Sequence, residues 1–299
     1  MRGGETLHRK NRALAVRAVL LVERGGASWW LPVNFWAGRR ISPQGPCPGE
    51  EERFRMVRRV RVLVLSTLLL ATGSVMASAP AFAVIGGSKS TYGPWAVRML
   101  VDGKPECTGT AVTRQWIISA SHCFFEQGRP IADKRISFRV GGLDMRKGTT
   151  VRPLRGRRAG SARADMMLIK VSPMKVRTAR LATTRVRPGQ VVRQYGWGAT
   201  CTTDENTCQS PVLKRADLRV VRPDDPRCAG YTAPGGSDFC MVKVSGIPAG
   251  GDSGGPVMSV APRGAEILLG VFDGSDRQKV AEAGEVSQQL AWIRSVIRR

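Results

Sequence analysis

The sequence predicts an all-β fold, a sandwich or barrel, closed by a single C-terminal helix. Short apolar runs ("WAVRMLV", "WIISA", "ISFRVGG", "DMMLIKV", "VVRQYGWG", "LLGVF") recur between Gly, Pro, Ser and Asn turns, the signature of strands in a β-rich core. In "EVSQQLAWIRSVIRR" the apolar residues Val286, Leu290, Ile293 and Ile297 fall at helical spacing instead. An even set of six cysteines beyond residue 83 adds the staples expected of an exported chain.

The first 83 residues stand apart from this pattern. "ASAPAFAVIGG" carries a small-x-small cleavage site at Ala81-Phe82-Ala83, and such sites lie within about 15–30 residues of a start. Reading back, Met56 opens "MVRRVRVLVLSTLLL", with Arg58, Arg59 and Arg61 ahead of an apolar core. That core is too short for a membrane span, which takes about 20 apolar residues. Residues 56–83 therefore read as a signal peptide. The protein is expected outside the cell, with no stable membrane anchor after cleavage.

Residues 1–55 show no sustained helical or strand period, and Arg outnumbers Lys as in a GC-rich genome. They read as a spurious or unstructured extension, with translation starting at Met56. The cysteine count agrees. Removing Cys47 leaves Cys107, Cys123, Cys201, Cys208, Cys228 and Cys240. Disulfides fit this set better than metal, since Cys-x-x-Cys is missing and histidine is almost absent. Spacing alone does not decide their connectivity.

Residues 84–299 are long enough for one sizeable core or two small fused ones. Of the 47 Lys+Arg and 23 Asp+Glu in the chain, 34 and 18 fall here, a net +16. The basic residues are scattered, and the densest run, Arg146 to Arg163, has no interleaved aromatics. It reads as a solvated basic loop, and no nucleic-acid partner is expected. Thr178 to Gln190, polar and containing Pro-Gly, is the candidate linker between halves.

The chemistry concentrates in "GGDSGGPV", Gly250 to Val257. A serine hydroxyl is a weak nucleophile and needs an adjacent base. It also needs backbone N–H donors aimed at the developing oxyanion, and glycines allow that close approach. Gly251 and Ser253 are placed to supply them. The base is nearly forced, because His8 lies in the leader and leaves His122, in "WIISASHC", as the available imidazole. With an ordinary value near 6.5, it predicts activity rising through roughly pH 6–7. Asp165, opening "DMMLIKV", is costly beside a core strand unless paired, and pairing with His122 would satisfy it and fix the tautomer.

"VIGG", "SASHC", "DMMLIKV", "GWG" and "GDSGGPV" occur in the order and approximate spacing of the chymotrypsin/trypsin-like serine endopeptidases, and the chain resembles that family from Val84 to Arg299. The resemblance implies two six-stranded antiparallel Greek-key barrels, about 84–185 and about 190–284, with a C-terminal helix over 285–299. The active site would lie in the cleft between the barrels. The chain order His122, Asp165, Ser253 is the family's. In its roles Ser253 attacks, His122 moves the proton, Asp165 orients the imidazole, and the N–H groups of Gly251 and Ser253 hold the oxyanion. The free amine of Val84 would pair with the carboxylate of Asp252. Among the cysteines the resemblance pairs Cys107 with Cys123 and Cys228 with Cys240, leaving Cys201 with Cys208. No cofactor or metal is implied. The partners implied are polypeptide substrates and proteinaceous inhibitors, acting on a monomer. A silent homologue that binds partners, or an esterase using the same residues, are the alternative functions.

Departures from the family concern specificity. The position two residues before Gly251 is Ala249 where many members carry cysteine. The base of the primary pocket falls on Ile247, with Pro248 beside it, and neither suits a buried Arg or Lys. The opposite wall reads "VFDGSD" in place of a Ser-Trp-Gly edge, making Asp273 and Gly274 its expected members.

Overall fold

A computed structural model describes residues 84–232, 235–260 and 267–299, all within one unit spanning 76–299. The expected extension over 1–55 and the expected signal peptide over 56–83 lie outside the described residues. The strands in chain order are β1 (Ser88–Lys89), β2 (Ala96–Val101), β3 (Lys104–Thr113), β4 (Trp116–Ser119), β5 (Phe125–Glu126), β6 (Arg129–Pro130), β7 (Ile136–Val140), β8 (Thr149–Val151) and β9 (Pro153–Gly160). They continue as β10 (Met167–Val171), β11 (Arg180–Leu181), β12 (Val191–Gly196), β13 (Lys214–Val220), β14 (Asp238–Ser245), β15 (Pro256–Ser259), β16 (Ile267–Ser275) and β17 (Val280–Glu285), before helix α1 (Val286–Ile297).

Two large sheets result, antiparallel apart from the short β11–β16 ladder. In the second, the order β13-β12-β15-β16-β17-β14 closes on itself through β13–β14, a six-stranded barrel with β1 added at β13. The first runs β8-β7-β2-β3-β4-β10-β9 and curls without a closing ladder among the described residues. Its two edges, β8 and β9, are separated in sequence only by Arg152, so the chain itself joins them. Counted as one bent strand, they make the six that the family resemblance implies.

The continuous apolar strings follow from where these strands lie. Successive side chains point to opposite faces. In β4, Trp116 and Ile118 join the core around the second barrel, while Ile117 joins that of the first. In β10, Leu168 faces one way and Met167, Ile169 and Val171 the other. Strands buried on both faces read as unbroken apolar runs.

One expectation changes. The basic run is not a loop: it forms β8 and β9 at the sheet edge, with Arg152, Arg155 and Arg157 exposed and Arg158 paired with Asp133 at 2.8 Å. A charged edge resists strand addition by other chains. The candidate linker is tied down as well, through Ala179 N–H to the Ala111 carbonyl (2.9 Å) and Ala182 N–H to that of Leu268 (3.0 Å). Small buried alanines let it lie flat against both sheets. Helix α1 buries Val286, Gln289, Ile293 and Val296, a face rotated slightly from the apolar stripe, with Leu290 and Ile297 half-buried at its border. The three disulfides are Cys107–Cys123, Cys201–Cys208 and Cys228–Cys240.

Candidate active site

His122 begins a short 3-10 turn directly after β4 and Asp165 precedes β10, the neighbouring strand. Sheet pairing alone therefore brings them together across 43 positions of sequence. Asp165 accepts the His122 backbone N–H through Oδ1 at 2.9 Å and meets Nδ1 through Oδ2 at 2.5 Å. A carboxylate at Nδ1 holds the proton there and leaves Nε2 as the basic nitrogen.

The second barrel brings the Ser253 backbone up to Thr108 and to Cys123, the residue after His122. The Ser253 carbonyl accepts from Thr108 N–H at 2.8 Å, and Sγ of Cys123 stands 3.9 Å from that carbonyl. Gly254 N–H donates to the Phe272 carbonyl at 2.7 Å, which lays the serine turn along β16. The glycines of the motif have steric causes. Gly254 has φ +77° and packs so tightly on Thr108, Ser119 and Ala120 that a side chain would collide with backbone. Gly251 has φ +87° and lies against the Gln209 amide.

The other expected residues are placed as follows. Asp252 is wholly buried and accepts from Gly198 N–H (2.8 Å) and Ala249 N–H (3.0 Å), which accounts for the "GWG" stretch. Burial pushes its carboxyl up to about 6, partly offset by those two N–H groups and by Arg98. Val84 is fully buried, and Ile85 pairs with Ile247, whose N–H donates to the Ile85 carbonyl at 2.8 Å. The segment that begins at Val84 thus docks at Ile247, five positions before Asp252 in sequence. Ile247 is 1% exposed within the apolar core, and the carbonyl of the buried Pro248 accepts the Ser275 hydroxyl. Gly274 borders Glu282, while the Asp273 carboxylate lies 3.6 Å from His122 Nδ1.

Sequence reading missed three contributors. Arg98, in the middle of "WAVRMLV", is fully buried and donates to the carbonyls of Gly251 (2.8 Å) and Cys107 (3.2 Å) and to Gln209 Oε1. Its signal was a charge inside an apolar string. Gln209 braces Gly251, and Glu205 accepts Gly250 N–H at 2.9 Å while pairing with Arg277 at 2.9 Å. Both belong to the Cys201–Cys208 loop or its edge, where local polarity gives no hint of a long-range contact.

The electrostatics are dominated by acids. The hydrogen bond to Asp165 and then the nearby Asp273 carboxylate push the His122 imidazole up to about 9 against the opposing effect of burial. Burial works against ionisation of Asp165, yet its bonds to His122 hold it below the usual carboxylate range. Burial raises Asp238 to about 6 and Glu282 to about 7, and the nearby Asp273 adds to both. His122, Asp165 and Asp273 are close enough to be considered as ligands for a cation. The 2.5 Å between Nδ1 and Asp165 is the spacing of a shared proton, however. Ligands each about 2.0–2.2 Å from a zinc ion stand farther apart. Cys107 and Cys123 are consumed by their disulfide.

Comparison with known proteins gives the family of the chain. The chain is 27% identical over 195 residues to trypsin iota of Drosophila melanogaster, covering 59% of this chain and 73% of that protein. It is 28% identical over 232 residues to human kallikrein-15 (69% and 87%) and 27% identical over 215 to canine anionic trypsin (64% and 79%). Among solved structures, the scabies mite inactivated protease paralogue S-D1 superposes with a TM-score of 0.62 at 24% identity, over 72% of this chain and 97% of that one. This last likeness speaks for the fold. The family model described as trypsin matches residues 84–293. With that stretch matched from the buried Val84 into helix α1, the chain belongs to the trypsin family.

Proposed function

We propose that this protein is a secreted serine endopeptidase that cleaves peptide bonds through Ser253, His122 and Asp165 by way of a covalent acyl-enzyme. The observation that carries the reading is the His122–Asp165 pair, made through both backbone and side chain, in a chain that keeps an intact "GDSGG" turn whose Ser253 carbonyl lies 3.9 Å from Sγ of Cys123.

In the first step Ser253 Oγ attacks the scissile carbonyl carbon while its proton passes to His122 Nε2. The N–H groups of Gly251 and Ser253 receive the oxyanion, and they need no reorganisation if Gly251 is already fixed by its carbonyl bonds to Arg98 and Thr108. Collapse expels the amine, which takes the proton from Nε2. A water activated by the same nitrogen then releases the acyl group. Asp165 keeps the ring oriented and stabilises the imidazolium.

Signal-peptide removal after Ala83 would free the Val84 amine to pair with Asp252, as the family resemblance implies, and couple export to activation. Polypeptides, including proteinaceous inhibitors, would then occupy the cleft of a monomer. No helix among the described residues is long and apolar enough to cross a membrane. Labelling the secreted protein with an organophosphonate probe and mapping the adduct tests the reading. An adduct on Ser253 is expected. Its absence in correctly processed protein would favour a silent, partner-binding homologue, and activity on esters alone would favour an esterase.

A further inference from the structure

The reaction as proposed uses one carboxylate, yet two face His122. Asp165 reaches Nδ1 from the end of the first sheet at 2.5 Å, and Asp273 reaches it from β16 of the second barrel at 3.6 Å. Asp273 follows Phe272, whose carbonyl holds Gly254 N–H at 2.7 Å and whose N–H donates to the Gly255 carbonyl at 2.9 Å. The strand that carries Asp273 is thus the one that fixes the serine turn. Its carboxylate is held in place by the same ladder as the nucleophile.

We propose that Asp273 is a second carboxylate partner of His122, a positioning residue that holds and charges the imidazole together with Asp165. The inference rests on His122 being the general base. While the ring is protonated, one imidazolium is shared between two carboxylates. When the ring loses its proton, Asp165 and Asp273 face each other as like charges in a half-buried cleft, an arrangement that is disfavoured. Other acids press on the same point: Asp238 on β14 and Glu282 on β17 both sense Asp273. The ring therefore holds its proton more firmly than a single carboxylate would make it, and the ring nitrogen is a correspondingly stronger base once freed.

The test is an NMR titration of His122 in the full chain. His8, the other histidine, is removed as His8→Gln so that one imidazole remains. Asp273→Asn keeps size and hydrogen bonding but removes the charge, and should lower the His122 midpoint by about 1–3 pH units, the range for an opposite charge within about 4–6 Å. Asp273→Glu should restore most of the shift. The acid limb of kcat/KM should move down with the NMR midpoint in Asp273→Asn. An unchanged midpoint in a folded Asp273→Asn protein overturns the proposal, as does a Glu variant that titrates like the Asn one. The titration needs no substrate, so it is independent of the protease reading. A shift without a phosphonate adduct sinks only that reading, and an adduct without a shift sinks only this inference.

Discussion

The guanidinium of Arg98 donates to the carbonyl of Gly251 at 2.8 Å, so a cation from strand β2 holds the loop of the nucleophile from beneath. Parity explains how it gets there. Val97 and Met99 point into the core of the first sheet, whereas Ala96 joins the core around the second barrel, and Arg98 shares its face. Burial lowers the guanidinium to about 10, with Asp252 and Glu106 opposing the shift. With that value it is charged at neutral pH.

Arg98→Met should therefore damage both stability and activity. Two buried carbonyls and Gln209 lose a charged donor, and hydrogen bonds to charged groups contribute about 1.5–3 kcal/mol each. A loss of about 3 kcal/mol or more is expected in urea unfolding. The fall in kcat should exceed any rise in KM, because Gly251 is a proposed oxyanion donor. A variant with native stability and kcat would show that Thr108, whose hydroxyl donates to the same carbonyl at 2.8 Å, suffices alone.

Substitution of the proposed catalytic groups should be severe and non-additive. Ser253→Ala, His122→Ala and Asp165→Ala are each expected to lower kcat by about 10⁴–10⁶, with little further loss in the double variants, since the three act as a unit. Initial-rate kinetics on one peptide substrate decide this. Fully additive losses would argue that the residues do not share a step.

The pH profile should lie well to the alkaline side of the expectation from an ordinary imidazole. His122 must be neutral to act as base, and its carboxylate partners push it up to about 9. Activity should thus be low near pH 7 and rise through about pH 9. The sign for stability is opposite. A raised folded value gives stabilisation that is fully present below the unfolded value of about 6.5 and is lost as pH climbs through about 9. Rate profiles and urea midpoints between about pH 6 and 10 check both limbs. An acid limb near pH 6.5 would show that the carboxylates do not act on the ring as the geometry indicates.

Much of this site is legible in the amino-acid sequence, for physical reasons that differ by residue. Ser253 and its glycines are local, since a turn this tight admits few side chains. His122 and Asp165 follow from the scarcity of histidine and the cost of an acid beside a core strand. Asp273 is expected in the pocket wall, but its approach to His122 depends on the register of β16 against the serine turn, which no local pattern encodes. Arg98, Glu205 and Gln209 act across sheets and loops, where sequence spacing carries no distance. For the fold, the apolar strings announce the strands, but the joining of β8 to β9 around Arg152 is a matter of sheet curvature.

The state of Val84 should decide how well the protein tolerates ionised Asp252. Burial raises this carboxyl to about 6, so its contribution favours folding below the unfolded value of about 3.9 and is lost as pH rises through about 6. A free Val84 amine would supply a countercharge and offset that loss, whereas an acetylated one would not. Between about pH 5 and pH 8, urea midpoints should fall more for N-acetylated Val84 than for the free form, and activity should follow. Equal midpoints and full activity in the acetylated protein would remove the amine from the mechanism.

Specificity is the property in which local chemistry pulls in two directions. Ile247 is buried in the core and bonded to Ile85, and the Pro248 carbonyl is taken by Ser275, so the expected pocket base offers no negative charge. Arg277 stands near the same wall, donating to the Ser275 carbonyl at 2.6 Å and pairing with Glu205. A cationic side chain entering there would meet a guanidinium and leave its own charge unpaired, which is costly. Asp273 lies 3.6 Å from His122 Nδ1, Glu282 borders Gly274 of the opposite wall, and Asp238 and Glu282 both sense Asp273 and Asp165. Peptides that vary only the residue before the scissile bond should therefore be cleaved best after apolar residues, and poorly after Arg or Lys. Glu205→Gln should deepen the rejection of Arg and Lys by removing the acid that neutralises Arg277. A dominant preference for Arg or Lys in the unaltered protein would mean that the acidic group beside His122, and not the Ile247 base, receives that side chain.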